Sequence, residues 1–281
     1  MESDDYIISI GDEGIHTNID GYSQLLKFYN TCQNYKDTVV TIDFNKLHWF
    51  SGNMCAILSA MIYKLNKERN LNFWVDGASV QHMKKRMGVL LHNGFIPNPD
   101  GEENYVSAVE LTSFEPNDEK LFVDYIEHKL FENMGMRIDP DTKEMMIDKF
   151  LEMYSNIQLH AQTKDPVFAC GQYFKKHKTL EFTLVDIGIG YLPPIEEHTK
   201  HQVTTSAGAI KWALEGNSTK RDAPGGTGII DLHKYCKESK SEMNIITGNA
   251  YWGTNLPNEE TISIEPFCGT IIHMLFNCKY S

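Results

Sequence analysis

The stretch Thr179–Gly190, TLEFTLVDIGIG, decides how the rest of the chain is read. Its first part, Thr179–Val185, predicts a β-strand from its β-branched and apolar residues. Asp186 closes that strand, and Gly188 and Gly190 follow at alternate positions. A carboxylate at a strand end can accept a hydrogen bond from an exocyclic amino group such as that of adenine. Glycines beside it let the backbone approach a flat ring with no Cβ in the way. An ordinary glycine turn would carry the same signature. Just upstream, Val167–Phe174 predicts a partner strand, with the hairpin at Lys175–Lys178.

Working outward, Asp118 to His160 reads as mostly helical, with a break at Met134–Pro140. Glu152, Asn156 and His160 are spaced i, i+4, i+8 and so share one side of a helix. They border an apolar stripe of Met146, Phe150, Met153 and Ile157. An asparagine oxygen is a hard ligand of the kind Mg²⁺ prefers, and a glutamate one turn away can take a proton from an attacking water or hydroxyl. A solvated polar face would have the same spacing. In the other direction, Gly190 to Gly228 is long, polar and rich in Gly, Thr, Ser, Lys and Pro. It is expected to be irregular and to act as a mobile lid. It contains Ser218-Thr219-Lys220-Arg221 and ends on Gly225-Gly226-Thr227-Gly228, which opens a predicted helix at Ile229–Cys236. Backbone N–H groups at a glycine-rich helix N-terminus favour phosphate. No Gly-Lys-Ser/Thr follows and no strand precedes, so the run is neither a P-loop nor a dinucleotide fingerprint. Ile245–Thr247, Thr261–Ile264 and Thr270–Phe276 complete the part with strands.

The first 110 residues alternate strand and helix signals: Tyr6–Ile10, a helix over Gly21–Tyr29, the β-branched Thr38–Phe44, a helix from Met54 to Leu65, Leu71–Val75, and a helix over Val80–Leu91. This alternation indicates an α/β layer structure. A Pro/Gly/Asn/Asp-rich loop, Pro97–Asn104, follows, and the boundary between two domains, 1–112 and 113–281, is placed near Thr112.

Bulk properties exclude several classes. The net charge of −12 over 281 residues argues against a nucleic-acid partner. No apolar run approaches the roughly 20 residues that span a bilayer, so a membrane partner is not expected. The acidic start, Met1–Asp5, does not read as a secretory signal. Six scattered cysteines indicate reduced thiols, as in a cytoplasmic protein.

Taken in order, Glu-x-x-x-Asn on a helix, a hairpin, Asp-x-Gly-x-Gly, a long polar lid, Ser-Thr-Lys, and Gly-Gly-Thr-Gly into a helix resemble the GHKL nucleotide-binding family, which includes gyrase B subunits, MutL, Hsp-type chaperones and sensor histidine kinases. The resemblance runs from about Glu115 to the end. It implies a Bergerat-type α/β sandwich with helices on one face of a mixed sheet, binding ATP and Mg²⁺. By resemblance, Asn156 would bind the metal and Asp186 the adenine amino group. Gly188 and Gly190 would shape the base pocket, and Thr270 would hold an adenine-bound water. Lys220, Gly225, Gly226 and Gly228 would hold phosphates, with Glu152 as general base. Ile230 stands where histidine kinases have a further glycine. The Glu152, Asn156, His160 pattern is closer to the anti-sigma-factor kinases.

The first part is similar in pattern to a STAS domain, the fold of anti-sigma-factor antagonists. Those proteins carry Asp-Ser-Ser-Gly at the turn that reads here Phe50-Ser51-Gly52-Asn53. Gly52 aligns with the phosphoacceptor and Ser51 is adjacent to it. The implied role is an ATP-dependent regulatory protein with a protein partner, with room for a homodimer. It would act as an ATPase or protein serine/threonine kinase, or else as a non-catalytic ATP-gated switch.

Overall fold

The computed structural model describes residues 6–76, 79–80, 90, 93, 95, 108–132, 138–219 and 228–278, apart from the side chains of 159 and 160. The predicted helix Val80–Leu91 and loop Pro97–Asn104 fall almost entirely outside these residues, as does most of the break at Met134–Pro140.

The chain is a mixed α/β structure. Strands β1 (Tyr6–Ser9), β3 (Val39–Asp43) and β5 (Asn72–Val75) form a parallel sheet in the order β1-β3-β5. Two short strands that the sequence did not suggest, β2 (Glu13–Ile15) and β4 (Leu47–Phe50), pair beside it. Helix α1 (Ile19–Cys32) starts where the Asn18 side chain accepts from Gly21 N–H, a standard N-cap. Helix α2 (Met54–Arg69) ends at Asn70, which takes the left-handed conformation that asparagine tolerates.

Strand β6 (Ala108–Phe114) belongs to a second sheet, so the expected boundary near Thr112 falls inside a strand. Helix α3 (Glu119–Asp124) continues as a π-helical segment through Glu132. Helix α4 (Pro140–His160) has Asp139 as N-cap and proline in its first turn, where the missing N–H costs nothing. Then come β7 (Val167–Phe174), β8 (Thr179–Asp186), α5 (Leu192–His198), α6 (Ser206–Leu214), α7 (Gly228–Ser239), β9 (Glu242–Gly253) and β10 (Ile262–Asn277). The five strands lie in the order β6-β7-β8-β10-β9. Every neighbouring pair is antiparallel, which corrects the expected mixed sheet.

Two further expectations change. The stretch Gly190–Gly228 is not irregular throughout, because it carries α5 and α6. Pro193 and Pro194 sit in the first turn of α5, and Thr205 caps α6 by accepting from Gly208 N–H. Residues that break a helix interior are at home at its start. Helices also cover both faces of the five-stranded sheet. On one side Leu180, Phe182 and Leu184 of β8 pack in a core with Phe150 of α4 and Leu232 of α7. On the other, Phe168, Val185, Ile246 and Ile271 join the core built on α1 and α2. Almost every residue from Met54 to Met61 is buried. That is what a helix between two sheets requires. The layers therefore run parallel sheet, α1/α2, antiparallel sheet, outer helices. No helix among the described residues is long and apolar enough to cross a membrane.

Candidate functional site

Side chains alternate along β8, so Asp186 shares the outer-helix face with Leu184 and Phe182. It stands opposite Thr270 of β10 and is 2% exposed. Gly188 N–H donates to Asp186 Oδ1 over 2.8 Å. Burial pushes the carboxyl up to about 7, against the Gly188 N–H and the Thr270 N–H and hydroxyl, which favour its charged form. Desolvation therefore outweighs its protein partners, a common condition at functional sites.

The turn after Asp186 is tied to the end of α4: Ile189 N–H donates to Ala161 O over 3.0 Å. A Cβ on Gly188 would lie 2.1 Å from that same carbonyl oxygen. Gly190 has φ +72°, and Tyr191 N–H donates to Thr247 Oγ1 over 3.1 Å. Asp186, Gly190 and Thr270 thus line one small pocket with Asn156, Ile157, Ala161, Tyr191 and Ile272. Its volume is about 10 Å³, near the lower limit for one water. A heteroaromatic ring would enter only by displacing a wall.

Asn156 connects this pocket to the start of α7. Its Nδ2 donates to Glu152 O over 2.7 Å. A Cβ on Gly228 would fall 2.3 Å from Glu152 Oε1, 2.9 Å from Asn156 Nδ2 and 3.2 Å from Asn156 Oδ1. The first residue of α7 therefore rests on both polar side chains of α4, next to the positive end of the α7 dipole. The fold brings together Glu152, Asn156, Asp186, Gly188, Gly190, Gly228 and Thr270. Lys220, Gly225 and Gly226 lie outside the described residues, as does the His160 side chain. Among the described residues, no group of three or more His, Cys, Asp or Glu gathers as a metal site.

Two residues beside the site, Tyr191 and Gly269, have no role assigned from sequence. Tyr191 walls the pocket, and only its place after Gly190 could have flagged it. Gly269 has φ +93°, and a Cβ there would sit 2.2 Å from Asp186 O. A glycine just before Thr270 was a legible hint of that close approach.

The Ser51-Gly52-Asn53 turn lies on the opposite face of the sheet. Ser51 is 5% exposed and accepts from Trp49 Nε1 over 3.1 Å. Gly52 N–H donates to Gln172 Oε1 over 2.9 Å, and Cys170 Sγ donates to Gly52 O over 3.1 Å. Asn53 is fully buried, with its Nδ2 3.0 Å from Thr183 Oγ1 and 3.3 Å from His273 Nδ1, while its Oδ1 accepts from Thr17 over 3.0 Å.

Comparison with protein-family models, with curated proteins and with solved structures gives no match to this chain.

Proposed function

We propose that the chain is an ATP- and Mg²⁺-binding regulatory protein of the GHKL type, with a STAS-like amino-terminal unit. The observation that carries this reading is Asp186. It is a buried carboxylate lining a pocket shared with Asn156 and Thr270, and Asn156 and Glu152 lie against the first residue of α7. The order of helix, hairpin, Asp-x-Gly-x-Gly and glycine run into a helix supports it as well.

The donor set fits such a ligand. Asp186 would accept from the adenine amino group and so gain a partner for a carboxylate that burial disfavours. Gly228 and the α7 N-terminus would face phosphate oxygens. Asn156 would offer its oxygen to Mg²⁺, which when bound would neutralise phosphate charge. Glu152 would receive a proton from the attacking hydroxyl. Cytoplasmic location and a protein partner remain parts of this proposal.

A second reading, an ATP-gated switch without catalysis, is favoured by Ser51. This serine is buried on the face away from Asp186, so it is not placed to receive phosphate from the same chain's site.

Calorimetry with ATP·Mg²⁺ on the full chain tests the first reading. Binding should be measurable, and Asp186→Asn should weaken it roughly ten- to a hundredfold, the effect of about 1–3 kcal/mol from an unpaired polar group. Unchanged affinity in that variant removes the assignment. Glu152→Ala separates the two modes: an enzyme keeps ATP binding and loses turnover, whereas a switch keeps its partner response.

A further inference from the structure

Among the described residues, the three-stranded parallel sheet has one buried face and one that stays largely exposed. Ile8, Val40 and Ile42 point into the core with α1 and α2 and are 9%, 0% and 1% exposed. The intervening side chains point the other way. Ile7 pairs with Thr41, which pairs with Trp74, so these three form one row across the sheet. Ile7 is 72% exposed and Trp74 66%. With Val39 they line a shallow trough of about 530 Å³ that ends at Asp76. Parallel sheets ordinarily have both faces covered, because the crossover connections that make them parallel place helices on both sides. An apolar row on an open parallel sheet is therefore a surface awaiting a cover.

The size of the face limits what can cover it. Three strands of four or five residues make an area of roughly 200 Å², from strand spacing and rise per residue. One helix, about 10 Å across, covers that. A stable dimer needs about 800 Å² per partner, which this patch alone does not supply. Charge limits it further. Asp43 follows Ile42 at the end of β3 and accepts from Asn45 N–H, and Asp76 follows Val75 at the end of β5. The whole chain carries −12. An acidic end to an apolar trough favours a cationic ligand and disfavours an anionic lipid surface.

We propose that this face docks one amphipathic helix of a partner protein, apolar along the row Ile7, Thr41, Trp74 and carrying lysine or arginine where it meets Asp43 and Asp76. The recognition mode is a helix laid on an apolar surface, with selectivity from the charge at one end. It is independent of nucleotide binding.

The test uses the full chain and two synthetic 15-residue helical peptides, with leucine at i, i+3, i+4 and i+7. One carries lysines at one end and the other glutamates at the same positions. Calorimetry should give weak binding of the lysine peptide, with Kd on the order of 100 μM, and at least tenfold weaker binding of the glutamate peptide. Trp74→Ser and Ile7→Ser, both surface changes checked by thermal melting, should each weaken the lysine peptide at least tenfold. No binding, equal binding of the two peptides, or indifference to both variants overturns the proposal. So does a concentration-dependent dimer in sedimentation that Ile7→Ser abolishes, since the cover would then be a second copy. Sedimentation with anionic phosphatidylserine vesicles that either variant abolishes also overturns it.

Discussion

The two faces of the five-stranded sheet differ in how their buried polar groups are connected. On the outer-helix face Asp186 is a single carboxylate under desolvation, with its pKa pushed up to about 7. On the reverse face Thr17, Asn53, Thr183 and His273 form a connected set, in which the single Thr17 hydroxyl proton has both Asn53 Oδ1 at 3.0 Å and Glu181 Oε2 at 2.7 Å within reach, and burial raises the Glu181 pKa. Burial lowers the His273 pKa to about 3, so the ring stays neutral and accepts from its neighbours. A connected polar network across the seam favours one arrangement of the two packed layers. Asp186 has donors in Gly188 and Thr270, and its desolvation still outweighs them. The contrast separates the seam between the layers from the pocket where a ligand is proposed.

The most disruptive way to break this comparison is to remove the amino-terminal layer. A fragment of residues 108–281 would expose Phe168, Val185, Ile246, Phe267 and Ile271. Together these are worth on the order of 10 kcal/mol of burial, comparable with the whole net stability of a domain. The fragment is expected to aggregate or melt without cooperativity in calorimetry. A monomeric, cooperatively melting fragment would mean that the reverse face is a detachable contact.

Asp186 gives the next largest effect, and its sign is fixed by linkage. Its folded pKa lies above the unfolded carboxylate value, so the folded state binds the extra proton between roughly pH 4 and 7. Stability therefore falls as pH rises through that window, by up to about 4 kcal/mol. Asp186→Asn should remove this slope and raise urea stability at pH 8 while losing ATP affinity. Urea titrations at pH 5 and pH 8 check this, and an equal slope in both proteins would place the carboxylate in a wetter environment.

Asn53→Ala should cost about 2–4 kcal/mol, because it leaves Thr183, His273 and Thr17 short of a partner in a dry interface. Its ATP affinity should stay within a few-fold of wild type, as measured by denaturation and calorimetry on the same sample. A large affinity loss would show the seam and the site to be coupled through β8 and β10.

Gly228→Ala should give the smallest change in stability and a roughly tenfold loss of ATP affinity, or about 1.4 kcal/mol. The new methyl displaces the flexible ends of Glu152 and Asn156 rather than backbone. Wild-type affinity in this variant would remove the α7 N-terminus from the site.

Much of this was legible in the sequence, for identifiable reasons. The hairpin, the mostly helical stretch that ends at His160 and the strand leading to Asp186 follow from periodicity and β-branched runs, all of them local. The run Thr261–Ile264 and Thr270–Phe276 read as two strands because Pro266 and Gly269 interrupt it, yet β10 carries both across bulges between Ser263 and Thr270. The prolines and glycines of Gly190–Gly228 likewise read as breakers, although several occupy helix first turns. Composition alone does not distinguish a residue that stops a helix from one that starts it.

The sequence by itself singled out the candidate residues: a carboxylate at a strand end, an amide and a carboxylate one helical turn apart, and the glycines beside them. Those are local facts, set by covalent spacing along a strand or helix. The tertiary structure alone decided that α2 would be buried on both sides, that Ser51 would face away from Asp186, and that Ile7 and Trp74 would be left in the open. Each of these depends on which face of a sheet a neighbouring layer chooses. Side-chain alternation offers two faces, and only packing between distant segments selects one.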